Sequence, residues 1–183
     1  MSTLNDYLIQ KRDALQHVVA RATAPGYQPH PISARVRAEG RSRVRRIRVR
    51  DFQIVSDSPP DFAGYDLGPS SPEIVLGGLG SCLTHTWLIQ VAAHQLPLES
   101  LEVELSGQID ARAGKPGYEH VPVYPHNLSY TVHLRSPASA AAVDTVRAAV
   151  ERTCPILNLL RHPQPIAGTI DHVVPEAPRQ AAE

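Results

Sequence analysis

The chain has 183 residues with 18 basic and 18 acidic side chains, so no net field draws it to nucleic acid or to an anionic membrane. That length fits one domain with a real core, and with two Phe and one Trp the core must be aliphatic. No run approaches the ~18 uninterrupted apolar residues of a membrane span. The charged N-terminus (Asp6, Lys11, Arg12, Asp13) lacks the apolar centre of a secretory signal. The expected compartment is therefore the cytoplasm, where two cysteines read as reactive or inert thiols rather than a structural staple.

Residues 3–21 set Leu4, Leu8, Leu15, Val18 and Val19 at helical spacing and predict an amphipathic helix, ended by Pro25, Gly26 and Pro29. From Ile32 the pattern turns to alternation, first over residues 32–38, then through Val44, Ile47, Val49 and residues 52–55. Glu39-Gly40-Arg41-Ser42 forms the hairpin turn between them. Residues 57–71, rich in proline and glycine, read as a loop. A long apolar helix is expected over residues 72–95, with Pro72 in its first turn and Ser70 and Glu73 as a capping box. Residues 98–109 and 121–134 read as two long strands, joined by a polar loop containing Gly114, Pro116 and Gly117. A second helix starts at Ser136-Pro137 and runs through Val143, Val146 and Val150. Residues 155–160 add a helical turn, residues 166–174 a last strand, and residues 175–183 a frayed flexible tail. After the first helix the order is ββαββαβ, with strands grouped, which argues an α+β fold.

Arg35, Arg37, Arg41, Arg43, Arg45, Arg46, Arg48 and Arg50 crowd sixteen residues. Arg48 and Arg50 alternate with Ile47 and Val49, as on a solvated strand face, and the adjacent Arg45-Arg46 predicts a bulge. Nucleic-acid binding is the weaker reading, because no aromatic side chains interleave. In the sharper reading one arginine turns inward to a thiolate, although periodicity does not say which.

Cys82 sits mid-helix in LGGLGSCLTHTW, beside Gly77, Gly78, Gly80 and Ser81. Each interior glycine costs ~1 kcal/mol against alanine, which a closely packed neighbouring helix would offset. On composition alone Cys82 is a small buried hydrophobe. Cys154 precedes Pro155, so it suits the N-cap of a short helix, and it extends the inward stripe of Val143. A helix N-terminus favours a thiolate, and a second inward thiol is what dithiol chemistry needs. His85, one turn after Cys82, is either a base for the thiol or, as is commoner, a hydrogen-bonded core residue. No metal site is expected: Cys82 and His85 give two ligands, and His94, His120, His126 and His133 lack zinc-ligand spacing.

Asp66-Leu67-Gly68-Pro69-Ser70-Ser71-Pro72-Glu73 followed by IVLGGLGSCLTHT resembles the signature of the OsmC/Ohr superfamily, as does Cys154-Pro155 after an amphipathic helix. The resemblance makes residues 31–174 an OsmC-like domain and residues 1–30 an N-terminal helical extension. It implies an intertwined homodimer, with a β-sheet wrapped around two long central helices. It also implies thiol-dependent reduction of organic hydroperoxides without a cofactor. Cys82 would attack the peroxide, Cys154 would resolve the sulfenate, and a dithiol of the lipoyl type would restore the pair. In such reductases a hairpin arginine pairs with the thiolate and a glutamate holds that arginine. Arg41 is the best match, with Arg43 and Arg45 as alternatives. Glu73 is nine residues before Cys82 instead of ten, about 180° round the helix, so it also reads as a helix cap. The alternative function is an OsmC-like small-ligand-binding or stress protein with little peroxidase activity. No nucleic-acid or membrane partner is expected.

Overall fold

The computed structural model describes residues 3–41 and 43–174; the expected tail at residues 175–183 lies outside them. The Asp6 carboxylate accepts from the Thr3 N–H while the Thr3 hydroxyl accepts from the Asp6 N–H, and this capping box opens helix α1, Leu4–Ala22. Leu8 enters the core, while Val18 and Val19 in the second half are exposed. Asn5 Oδ1 accepts from the Leu98 N–H at 3.1 Å and pins α1 to the chain beyond the central helix.

Three strands follow where two were expected: β1 (Arg35–Glu39), β2 (Val44–Val49) and β3 (Phe52–Ser56), paired antiparallel in that order. The run from Val44 to residue 55 is broken by a reversal at Arg50, which takes φ 54° without being glycine. The bulge expected at Arg45-Arg46 is absent, because the register runs unbroken through both residues on both sides of β2. The two arginines simply serve opposite faces. Arg46 joins Arg35, Arg37 and Arg48, whereas Arg45 points to the apolar face, where Ser56 and Ser58 meet it. This small sheet makes no extensive contact with any helix or with the second sheet.

Helix α2, Ser71–Ala93, is the central element, capped as expected by Ser70 and Glu73. It buries Leu79, Leu83, Thr86, Trp87, Val91 and Ala92 against α1, strand β4 (Ser100–Gln108), helix α3 (Ala140–Thr153) and helix α4 (Pro155–Arg161). A Cβ at Gly80 would lie 2.6 Å from Leu105 Cδ1, so glycine lets β4 close on the helix there. Gly77 and Gly78 face open space, so no helix crosses them within the protomer. By length and hydropathy (mean 1.3) α2 matches a membrane span, but it forms the protomer's core, interrupted by Ser81, Thr84, His85 and Thr86.

Strand β5, His126–Arg135, pairs antiparallel with β4, with an irregularity between Ser106 and Gln108. Leu101, Val103 and Leu105 of β4 and Tyr130, Val132 and Leu134 of β5 pack on the core. The last strand expected at residues 166–174 is not formed. A strand needs a hydrogen-bonded neighbour, and this segment has none among the described residues: Ile166 is 93% and Ile170 94% exposed.

Leu83 has no exposed surface, at the centre of this packing. Leu83→Ala is expected to cost about 2–5 kcal/mol, transfer and cavity terms together. Urea unfolding checks this; an unchanged midpoint would mean that α2 is not the core helix.

Candidate active site

Two features of the chain bring its cysteines together. Cys82 lies at the start of the fourth turn of α2, on a flank facing the junction of α3 and α4. Cys154 is that junction: it ends α3, donates its N–H to the Val150 carbonyl at 2.8 Å, and caps α4, whose first residue is Pro155. The two sulfurs stand 3.5 Å apart and both thiols are free. A disulfide sulfur pair is at about 2.05 Å, so closure takes a movement of about 1.5 Å. Cys154 is fully buried while Cys82 is half-buried, so a reagent from solvent meets Cys82 first.

Asn158, which sequence reasoning missed, holds the junction in place. Its Nδ2 donates to the carbonyls of Cys154 (2.8 Å), Glu151 (3.1 Å) and Arg152 (3.4 Å). These carbonyls end α3, where Pro155 offers no N–H. The available signal is an asparagine four residues beyond the cysteine, in a short helix it would not otherwise favour. Asn158→Ala leaves the Glu151 and Arg152 carbonyls without this donor, while the Cys154 carbonyl keeps the N–H of residue 158 at 3.1 Å, and is expected to cost about 1–3 kcal/mol. Chemical denaturation reads that loss, and a cost near zero would remove Asn158 from the account.

Burial pushes the Cys82 thiol above its ordinary pKa, and the Cys154 thiol adds to the rise; the Ile156 backbone N–H and the Thr86 hydroxyl pull the other way. Among the described residues no arginine is a cause of this shift. Arg41 is exposed at the tip of the β1–β2 turn, without a carboxylate partner among the described residues. Glu73 is exposed and takes both the Ser70 N–H and hydroxyl at 2.7 Å, which holds its pKa below the usual carboxylate range. Among the described residues Glu73 is thus a helix cap that pairs with no arginine, and Arg41 and Glu73 are not brought together with the cysteines. His85 points away towards α1, where partial burial and Lys11 lower its pKa.

The inward arginine is Arg45. Its guanidinium donates to Ser58 Oγ and Ser56 Oγ, both at 3.3 Å, beside the buried Asp57. Asp57 Oδ2 accepts from the Tyr65 and Leu67 N–H groups and folds residues 57–67 back on the sheet, where a Cβ at Gly64 would overlap the Ser58 carbonyl. The Ser58 N–H above all, then the Tyr65 and Leu67 N–H groups and Arg45, lower the Asp57 pKa against the opposing effect of burial. A depressed carboxyl stabilises the fold above its unfolded pKa of about 3.9. That stabilisation disappears as pH falls through the lower folded value. The loop should therefore become protease-sensitive in acid, only below about pH 4. Limited proteolysis with an acid-active protease checks this, and a loop cleaved equally at neutral pH would contradict it.

A cavity of about 200 Å³ is lined by Leu79, Leu128, Ser129, Tyr130, Leu157, Leu160 and Arg161, without either cysteine. Leu79 is one turn before Cys82 and Leu157 one turn after Cys154. Tyr130 donates its hydroxyl to Glu151 at 3.1 Å on the rim. No group of three metal-ligating side chains occurs among the described residues.

An accessible thiol on a long central helix, set against a buried second thiol inside a mixed fold, defines the chain as an α+β dithiol protein. It matches the family described as OsmC-like protein over residues 64–167, more than half its length, and it belongs to that family. Among solved structures it is similar to an OsmC-like protein from Mycoplasma pneumoniae, at 18% identity and TM-score 0.59, covering 73% of this chain and 88% of that one. It is also similar to an organic hydroperoxide resistance protein, OsmC, from Legionella pneumophila, at 14% identity and TM-score 0.53, covering 74% and 92%. An OsmC-like protein of unknown function from Vibrio cholerae matches at 14% identity and TM-score 0.54, covering 71% and 93%. At these identities the likeness is one of fold. No curated protein matches the chain in sequence.

Proposed function

We propose that the protein reduces organic hydroperoxides through its two cysteines, and the observation that carries this is the 3.5 Å approach of a half-buried to a fully buried thiol. The Cys82 thiolate attacks the terminal peroxide oxygen. The S–O bond forms, the O–O bond breaks, sulfur is oxidised to the sulfenic acid, and the departing alkoxide takes a proton to leave as the alcohol. The Cys154 thiolate then attacks the Cys82 sulfur; the S–S bond forms and the S–O bond breaks, and the departing hydroxide takes a proton to leave as water. A small dithiol of the lipoyl type restores both thiols by two exchanges. The Legionella neighbour's name supports this direction of chemistry.

The working form in this reading is a homodimer. Val36, Phe52 and Ile54 on the small sheet, with Ile166 and Ile170 beyond α4, are exposed apolar side chains with nothing covering them in the protomer. A second copy would cover them, pair the segment at residues 166–174, and bring an arginine of the β1–β2 hairpin, Arg41 first, to the Cys82 thiolate. Such an arginine would offset the burial that raises the Cys82 pKa, with Glu73 as its possible anchor. A cytoplasmic setting, where thiols stay reduced, completes the reading.

The test is cumene hydroperoxide consumption with dihydrolipoamide as reductant. Multiple turnovers per protein support the reductase. Loss of peroxide at the buffer rate favours the second reading, in which the cavity beside Leu79 and Leu157 holds a small apolar ligand and the raised thiol is inert.

A further inference from the structure

We propose that the charged face of the β1–β2–β3 sheet is a binding site for an oligophosphate anion, a site independent of the thiol chemistry. The strand register sets Arg35 opposite Arg48 and Arg37 opposite Arg46, so four guanidiniums form a lattice two strands wide. Neighbours across the strands are about 5 Å apart and successive same-face residues about 7 Å. Like charges directly opposite each other destabilise a sheet, yet Glu39 is the one acid on the face, held by Arg46 at 2.5 Å. Arg35, Arg37 and Arg48 have no carboxylate partner among the described residues. Arg35, Arg37, Glu39, Arg46 and Arg48 enclose a hollow of about 200 Å³.

The charge is concentrated here although the chain is neutral. Residues 35–50 hold eight of the 18 basic residues and one of the 18 acidic ones, so that stretch carries +7 and the rest of the chain −7. The opposite face of the sheet carries Val36, Ile47, Val49 and Ile54, so whatever packs on this sheet takes that apolar face and leaves the arginines to solvent. Guanidinium forks match phosphate oxygens in pairs, and a short phosphate chain presents several charges within the span of the lattice. Single-stranded nucleic acid fits less well, because residues 35, 37, 39, 44, 46, 48, 53 and 55 on this face include no aromatic side chain on which a base can stack.

The experiment is calorimetric titration of the full chain with sodium tripolyphosphate in about 50 mM salt. Wild type, R37Q/R48Q and, as a control on α1, R21Q are compared. Saturable binding is expected, weakened about tenfold or more in R37Q/R48Q, changed less than about twofold in R21Q, and falling steeply as salt rises to about 200 mM. Tripolyphosphate should raise the thermal midpoint of wild type but not of R37Q/R48Q, whose own midpoint without anion should equal or exceed that of wild type. If the double variant does not fold, R35Q carries the same comparison. Absence of saturable binding by about 10 mM, or equal binding by the arginine variants, overturns the proposal. So does equal affinity for citrate, or tighter, length-dependent binding of oligothymidylate, which would make the face a carboxylate or nucleic-acid site instead.

Discussion

Replacing Cys82 with serine is expected to abolish peroxide turnover, a loss of about a thousandfold or more, while replacing Cys154 with serine leaves one round of reaction. The asymmetry follows from burial. Cys82 is the thiol that solvent reaches, and a serine hydroxyl there is neither ionised nor polarisable enough to attack a peroxide oxygen. Cys154 is sealed in the core 3.5 Å behind it, so Cys154→Ser spares the first step and removes the partner that converts sulfenic acid to disulfide. The variant should consume one equivalent of peroxide to reach the sulfenic acid and a second to advance to the sulfinic acid. Intact-protein mass spectrometry separates the outcomes: two added oxygens in Cys154→Ser, a loss of two hydrogens in wild type, and no change in Cys82→Ser. Equal peroxide loss in all three proteins would remove the cysteines from the chemistry.

The second large effect is expected at the uncovered sheet. Ile47 is central in the three-stranded sheet, between Val36 and Ile54 on the face that no helix of the protomer covers. If a second copy covers that face, Ile47→Asp buries an unpaired carboxylate at the interface, at a cost of several kcal/mol, about 3 or more. The protein should then pass from dimer to monomer by light scattering after size exclusion, with a lower thermal midpoint. Peroxide turnover should fall with it, since the hairpin arginine would reach Cys82 only in the assembled form. Wild-type protein that elutes as a monomer, or an Ile47→Asp variant of unchanged mass, would contradict the dimer. Ile47→Val, which keeps the face apolar, is expected to leave the mass unchanged.

What was legible in the sequence was local. The capping residues of α2, the alternation in β4 and the Cys154-Pro155 helix start each depend on a few neighbouring side chains and are present, whereas the α1 stripe holds in its first half only, since Leu8 is buried and Val18 and Val19 are exposed. The split of β2 from β3 was not legible, because the reversal rests on Arg50 in a left-handed conformation that glycine or asparagine usually announces. Nor was the unbroken register at Arg45-Arg46, where alternation looked violated because an arginine sits on the apolar face, received by Ser56 and Ser58 from another strand and loop. The segment at residues 166–174 reads as a strand by its side chains, but strand formation depends on a neighbour that the protomer does not supply. At the site, the pairing of Cys82 with Cys154 was implied by the OsmC/Ohr resemblance, with the inward stripe ending at Cys154 as a local sign of it. Asn158, whose part depends on three carbonyls at a helix junction, left only a faint mark.

Reduced protein mixed with one equivalent of cumene hydroperoxide in a stopped-flow instrument, with the products mapped by mass spectrometry, decides whether the two cysteines form a peroxidase pair. Rapid peroxide loss is expected, with one intramolecular disulfide between Cys82 and Cys154 in amount equal to the peroxide consumed. Slow loss with both thiols still free would contradict it, and would leave two close cysteines in a fold put to another use.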